Sequence, residues 1–471
     1  MSVPAAPPRP LGVRRALVIG AGRSGLAAAR LLVEAGVEVT LVEEAEGPPP
    51  APQPGIELVA GRPAVDLVHA GLDLVVPSPG VPEHAAALSR ALAIGLAVWS
   101  EPELALRRHP RRLLAVTGTN GKTSTTELLA AMGRAGGLET VACGNIGIPV
   151  SEAAAASAAD AVLVAELSSF QLRFVDALHA EVAVLTNLAP DHLDWHGDLA
   201  GYRAAKARLF ATQTREDWAV LPADDPVAAS VRAGQGDARD AGFATDRRVP
   251  VGVGWRPDDR QGLLVWCDDR VEEDLVAVAD LADQDGPVPR HRVANVAAAG
   301  TAALLAGAAL TGVAAAARSL RPGAHRFRTV AIGPRGERYV DDSKATNVHA
   351  AMAALSSAGP TVWIAGGLSK GVDLSPLAEV LGEVRAAVLI GTAAEELAAV
   401  CDRAGIPWSH AADLDEAVAR AARLAAPGDT VLLAPACASF DQFDSYAHRG
   451  EVFIAAARRV AAAAATEEVP S

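Results

Sequence analysis

Lys122 and Thr123 close the stretch LLAVTGTNGKTSTT (Leu113 to Thr126), in which an apolar run enters a glycine-containing turn. Backbone N–H groups in such a turn, together with the positive end of a following helix, form a cradle for phosphate oxygens. Gly118, Thr119, Asn120, Gly121 and Ser124 supply that backbone, Lys122 adds a mobile cation, and Thr123 offers a hydroxyl to Mg²⁺. The loop is a compact variant of G-x-x-x-x-G-K-[ST], with Val116 where the first glycine would stand. Glu166 ends a second apolar run, DAVLVAE, where an unpaired carboxylate is costly to bury and a metal ion or cation is the natural partner. After a third run, AEVAVLTN, the residues Asn187, Asp191, His192 and Asp194 crowd together. Thr123, Glu166 and His192 thus suggest oxygen and imidazole ligands converging on Mg²⁺. Lys206 lies among alanines in YRAAKARLFATQ, an amphipathic helix whose lysine reads by default as solvent-facing.

The elements that must hold these groups are apolar strands alternating with helices, the pattern of parallel α/β sheets, with ligands at the carboxyl ends of the strands. A first such unit begins with RALVIGAGRSG. Gly20, Gly22 and Gly25 permit a tight turn, close approach of a pyrophosphate and close helix packing, and Glu43 with Glu44 ends the next strand near the position of a ribose-binding carboxylate. That motif by itself suits a nicotinamide or flavin dinucleotide, or any other diphosphate nucleotide. Ser78 follows the strand LDLVVP in a turn that is either ligand-facing or simply proline-rich, and Asn145 sits in the glycine-rich loop VACGNIGIP. Residues 225 to 285, with short strands such as RVPVGVGW, read as a small β insertion, and Asn295 opens an alanine-rich helix.

A third α/β unit follows Arg326. Asp342, Ser343, Lys344, Thr346 and Asn347 lie at one strand end, Lys370 at another, and Ser439 with Asp441 at a third. Two lysines and several hydroxyls on one sheet edge suit a small dicarboxylate.

At 471 residues the chain is long enough for about three domains. Charges and prolines interrupt every apolar segment short of the roughly twenty residues that span a bilayer, so no membrane insertion is expected. The proline-rich MSVPAAPPRP reads as a flexible lead-in rather than a signal peptide, and Cys143, Cys267, Cys401 and Cys437 form no C-x-x-C pair. A cytoplasmic, reducing location is expected. A net charge of −14 disfavours nucleic acid as a partner.

Taken together, GAGRSG, SPGVP, TGTNGKTS, GNIG, ELSSFQL, PDHLD, HR at 325 to 326, DDSKATN, GGLSKGVD and LLAPACASFDQF resemble, in order and over essentially the whole chain, the Mur ligase family. DSKATN points within it to the D-glutamate-adding members, and the DNPR motif of the diaminopimelate- or lysine-adding ones is not found. The resemblance implies three domains: a Rossmann-like one at 11–101 for the UDP substrate, a central phosphate-loop ATPase at 102–322, and a Rossmann-like C-terminal one at 323–471 for ATP and amino acid. It implies an ATP-dependent ligase acting through an acyl phosphate on UDP-N-acetylmuramoyl-L-alanine and D-glutamate, as a monomer, with two Mg²⁺ ions for which Mn²⁺ can substitute. Gly22, Arg23, Ser24, Gly25, Glu43, Ser78 and Asn145 would serve the UDP substrate. Gly118 to Ser124, Asn295, Arg326, Asp342 and Lys344 would serve ATP, and Thr346, Lys370, Ser439 and Tyr446 D-glutamate. Lys122, Glu166, His192 and Lys206 would carry the chemistry; Thr123 and Glu166 would hold one metal, His192 and a carbamylated Lys206 the other. Arg292 stands where the family has asparagine, Tyr446 where phenylalanine is expected, and Glu43 where aspartate is common.

Overall fold

Three β-sheets organise the protein in the computed structural model, which describes residues 8–45, 51–223, 225–258, 262–282, 288–321, 323–369 and 371–467. Lys370 and the side chain of Asp194 lie outside the described residues. The chain forms two compact units, one comprising Met1–Asp258, Leu263–Val276 and Ala294–Ser319, the other Asp259–Gly262, Ala277–Val293 and Leu320–Ser471.

The first unit holds two sheets. β1 (Arg15–Ile19), β2 (Glu38–Glu43), β3 (Ile56–Ala60), β4 (Leu74–Pro77) and β5 (Ala97–Val98) pair in the order β3-β2-β1-β4-β5, every pair parallel. The strand order reverses between β1 and β4, so a crevice opens at their carboxyl ends, where Gly20–Gly25 and Ser78 lie. The second sheet comprises β6 (Arg112–Thr117), β7 (Thr140–Gly144), β8 (Val162–Glu166), β9 (Val182–Leu185), β10 (Trp218–Pro222), β11 (Arg239–Phe243), β12 (Gly252–Arg256), β13 (Leu263–Cys267) and β14 (Glu272–Ala277). Its order is β14-β13-β12-β11-β10-β9-β6-β8-β7. The pairs from β7 to β12 are parallel and β12 meets β13 antiparallel. The β segment expected at 225–285 is therefore hydrogen-bonded along the edge of the second sheet. β8 and β9 are wholly buried, as strands covered on both faces must be.

In the second unit β15 (Arg328–Ile332), β16 (Arg338–Asp341), β17 (Thr361–Gly366), β18 (Val384–Ile390), β19 (Trp408–His410) and β20 (Thr430–Leu433) pair as β15-β16-β20-β17-β18-β19. Only the β15–β16 pair is antiparallel. Among the described residues no helix is long and apolar enough to cross a membrane, and the four cysteines are buried and form no disulfide there.

Two local readings change. The helix carrying Asn295 runs Arg290–Leu305, starting directly after Pro289, so Asn295 lies in its second turn; proline's fixed φ favours a helix start just there. The helix carrying Lys206 runs Leu199–Ala207, capped by Asp198, whose carboxylate accepts from the Gly201 N–H at 2.7 Å. Lys206 is 1% exposed, so the solvent-facing reading is wrong.

Candidate active site

The phosphate loop joins β6 to the helix Lys122–Ala135. Its bends need glycine: Gly118 has φ 145° and Gly121, the N-cap, φ 79°. The loop is braced from the next strand end. Asn187 accepts from the Asn120 N–H at 2.9 Å and donates to the Asn120 carbonyl at 3.0 Å, Thr186 donates to the same carbonyl at 2.6 Å, and the Asn187 carbonyl takes the Thr119 N–H at 3.0 Å. The Thr119 hydroxyl bonds the Ala189 carbonyl at 3.0 Å and lies 3.1 Å from the Tyr202 hydroxyl. On the helix side, a Cβ at Gly121 would stand 2.4 Å from Asn295 Oδ1, which also accepts from the Thr125 hydroxyl at 3.3 Å. Asn295 is thus against the loop despite lying 170 positions beyond Thr125 in the chain.

Lys122 Nζ donates to the carbonyls of Gly118 (3.0 Å) and Thr119 (2.8 Å). Lys206 reaches the Gly118 carbonyl from the other side at 2.8 Å, with Nζ 4.5 Å from the centre of the Tyr202 ring. Burial, then the charge of Lys122, pulls the Lys206 ammonium well below the usual lysine range, with Asp191 and Glu166 opposing. That direction favours the neutral amine, the form of a lysine side chain that can react with carbon dioxide.

Glu166 ends β8 and is 2% exposed. Its Oε1 accepts from Asn145 Nδ2 at 2.7 Å, whereas its Oε2 is buried with no hydrogen-bond partner among the described residues. An acceptor oxygen buried without a donor suits a cation. His192 has φ 54°, in the left-handed region, and its Nε2 lies 3.6 Å from Asp191 Oδ2. Its ring meets Phe170 edge-on at 4.8 Å and Tyr202 at 6.5 Å. Among the described residues no group of three His, Cys, Asp or Glu side chains could hold a metal ion.

At the crevice of the first sheet, Ser78 donates to the Gly20 carbonyl at 2.8 Å, and Glu43 accepts from the Ala21 N–H at 2.8 Å. Gly22 faces open space and caps the helix Arg23–Glu34 with no side chain on its first N–H groups, beside the half-buried Ser24. Gly25 is different: a Cβ there would lie 2.0 Å from the Gly20 carbonyl oxygen. Gly25→Ala is therefore expected to destabilise the protein by about 1–3 kcal/mol through overpacking, read from urea unfolding midpoints. Gly22→Ala is expected to unfold as the parent does.

In the second unit the ends of β16 and β20 and the turn before β15 form another cluster. Burial pushes the Asp342 carboxyl up to about 7, against the Phe327 N–H and the Arg326 charge; that N–H donates to Asp342 at 3.1 Å. His325 Nδ1 lies 2.6 Å from Asp341 Oδ2. Thr346 is half-buried, Asn347 caps the helix Val348–Ala358, and Ser439 is 2% exposed. Non-glycine left-handed residues among those described are His192, His325, Phe327 and Ala436, all in or beside the motifs. Such strain persists only where surroundings over-determine it.

Sequence reasoning missed Tyr202 and Arg449. Tyr202 shares a helix with Lys206 at i, i+4 spacing, which was a usable signal. Arg449 is 0% exposed and donates to Ser343 Oγ (3.0 Å), to the Ser343 and Cys437 carbonyls (3.0 and 3.2 Å) and to the Gly366 carbonyl (3.3 Å), tying three strand ends together. Burial brings its guanidinium down to about 10. Nothing in the alanine-rich helix around it announced that role.

Models of the Mur ligase MurD-like N-terminal domain, the Mur ligase middle domain and the Mur ligase glutamate ligase domain match residues 14–100, 116–245 and 325–437. Curated relatives named UDP-N-acetylmuramoylalanine--D-glutamate ligase include one from Frankia casuarinae, 44% identical over 94% of this chain and 93% of its own length. Another, from Thermobifida fusca, is 40% identical over 95% and 99%. Among solved structures, the UDP-N-acetylmuramate-alanine ligase of Thermotoga maritima superposes with a TM-score of 0.55 at 17% identity, over 97% of this chain and 100% of that one. The MurF ligase of Thermotoga maritima, solved in complex with ADP, gives 0.56 at 16% identity over 98% and 97%. At these identities the structures speak for the fold, while the three models and the curated relatives show that this chain is a member of the Mur ligase family of ATP-dependent, amide-forming ligases.

Proposed function

We propose that the protein joins D-glutamate to the L-alanyl carboxylate of UDP-N-acetylmuramoyl-L-alanine, with ATP converted to ADP and phosphate, in peptidoglycan precursor synthesis in the cytoplasm. The observation that carries it is the convergence of the phosphate loop, the buried Glu166 oxygen at the end of the neighbouring strand and the buried helix residue Lys206 bonded to the loop at Gly118, in a chain 44% identical to a curated ligase of that name.

An amide does not form from a carboxylate and an ammonium in water without activation. An oxygen of the alanyl carboxylate attacks the γ-phosphorus, the bond to the β-phosphate oxygen breaks, and ADP leaves. The D-glutamate amine then attacks the acyl carbon, loses a proton, and phosphate departs. The chain's part is positioning and charge. The N–H groups of Gly118 to Ser124 and the Lys122 ammonium bind phosphate oxygens, with Asn295, Arg326, Asp342 and Lys344 serving the nucleotide. Gly22 to Gly25, Glu43, Ser78 and Asn145 bind the UDP substrate; Thr346, Lys370, Ser439 and Tyr446 bind D-glutamate. Thr123 and Glu166 would hold one Mg²⁺, and His192 with a carbamylated Lys206 a second; such ions would supply positive charge to the transferring phosphoryl group. The segments 11–101, 102–322 and 323–471 act as three domains of a monomer.

The test is phosphate release by the purified protein with ATP, Mg²⁺ and UDP-N-acetylmuramoyl-L-alanine, comparing D-glutamate, L-glutamate and no amino acid. Release that requires both the UDP substrate and D-glutamate is expected. Release indifferent to D-glutamate would sink the assignment.

A further inference from the structure

Tyr446 opens the last helix, Tyr446–Glu467, and touches the end of β16 in two ways. Its carbonyl accepts from the Ser343 hydroxyl at 2.8 Å, and its ring lies under the ammonium of Lys344, with Nζ 3.7 Å from the ring centre. The same ring meets the His325 imidazole nearly perpendicular at 6.4 Å, and the His325 carbonyl takes the Lys344 N–H at 3.1 Å. The ring therefore packs against both Lys344 and the strained turn at His325. Ser343 is itself held by buried Arg449, so the backbone that carries the ring is tied to the strand end that carries the lysine.

We infer that Tyr446 is a positioning residue for the nucleotide as well as a wall for the amino acid: its aromatic face steadies the ammonium of Lys344, the lysine proposed above to serve the nucleotide. The inference rests on the ATP-dependent reading above. An ammonium over a ring face is held there electrostatically. A lysine is a flexible four-carbon stem with a point charge. Restricting it in advance lowers the entropy lost when an anion binds. The ring's quadrupole does this, not the hydroxyl, so phenylalanine serves equally and an aliphatic side chain of similar size does not.

Equilibrium binding of ATP with Mg²⁺ to the full chain, by calorimetry, tests this without turnover. Tyr446→Leu is expected to weaken ATP binding about fivefold, the size of an interaction of this kind, whereas Tyr446→Phe stays within about twofold of the parent. Combined with Lys344→Met, Tyr446→Leu should add almost nothing, because the ring then has no cation to hold. Equal ATP affinity in Tyr446→Leu and the parent, or a full additional loss in the double variant, overturns the inference. Failure of the parent to bind ATP at all would instead overturn the ligase reading on which it rests.

Discussion

Lys122→Ala is expected to lower kcat by about 10³-fold or more, the scale on which a group stabilising transition-state charge acts, in a protein that still folds. Lys122 lies at the first position of the helix Lys122–Ala135 and is only half-buried. Losing its bonds to the Gly118 and Thr119 carbonyls costs about 1–3 kcal/mol, because water reaches the site. The braces from Thr186 and Asn187 to Asn120 survive the substitution, so the backbone cradle keeps its shape. What disappears is the cation that the proposed mechanism sets beside the transferring phosphoryl group. Steady-state phosphate release and a thermal unfolding curve on the same preparation check this. A folded variant with near-parental turnover would remove the phosphate loop from the chemistry.

Lys206→Ala is expected to lose activity on the same scale, about 10²–10³-fold, and to recover part of it when formate, acetate or propionate is added. Lysine 1% exposed beside a carbonyl and a tyrosine ring leaves, when truncated, a space shaped for a short carboxylate. If Lys206 works as a carbamate, such an acid replaces its oxygens, and the intact parent gains the mass of one carbon dioxide under non-acidic conditions. If Lys206 works as an ammonium, acids do nothing and short amines rescue instead. Lys206→Met separates role from packing: it fills the space without the cost of burying a charge. It is expected to unfold no earlier than the parent and to be as inactive as the alanine variant. A fully active Lys206→Ala would leave that lysine with packing alone.

The strand ends were legible because their physics is local. An apolar run breaking into Gly-Lys-Thr, Glu or Asn-x-x-x-Asp-His announces both strand and site, and β6, β8 and β9 lie side by side with those residues at their carboxyl ends. Gly20, Gly25 and Ser78 were legible for the same reason. What the sequence hid depended on neighbours far along the chain. Alanines around Lys206 say nothing of burial, since alanine suits both faces of a helix; the phosphate loop and the Tyr202 ring packed against it are what cover it. Asn295 and Arg449 find their partners across 170 and 106 residues, where no periodicity reaches. The start of the helix at Arg290 rather than Asn295 was readable from Pro289 and was outweighed by the run of alanines after it.

The bracing of the phosphate loop bears on how the protein tolerates change. Thr186, Asn187 and Tyr202 hold the loop through its own backbone, so its ordering entropy is settled when the protein folds and not when nucleotide arrives. Substitutions at these three positions, none of which the motif marks as phosphate-binding, reintroduce that entropy at the binding step. Natural variation that spares every glycine and lysine of the loop can therefore still erode nucleotide affinity from a strand end and a helix away.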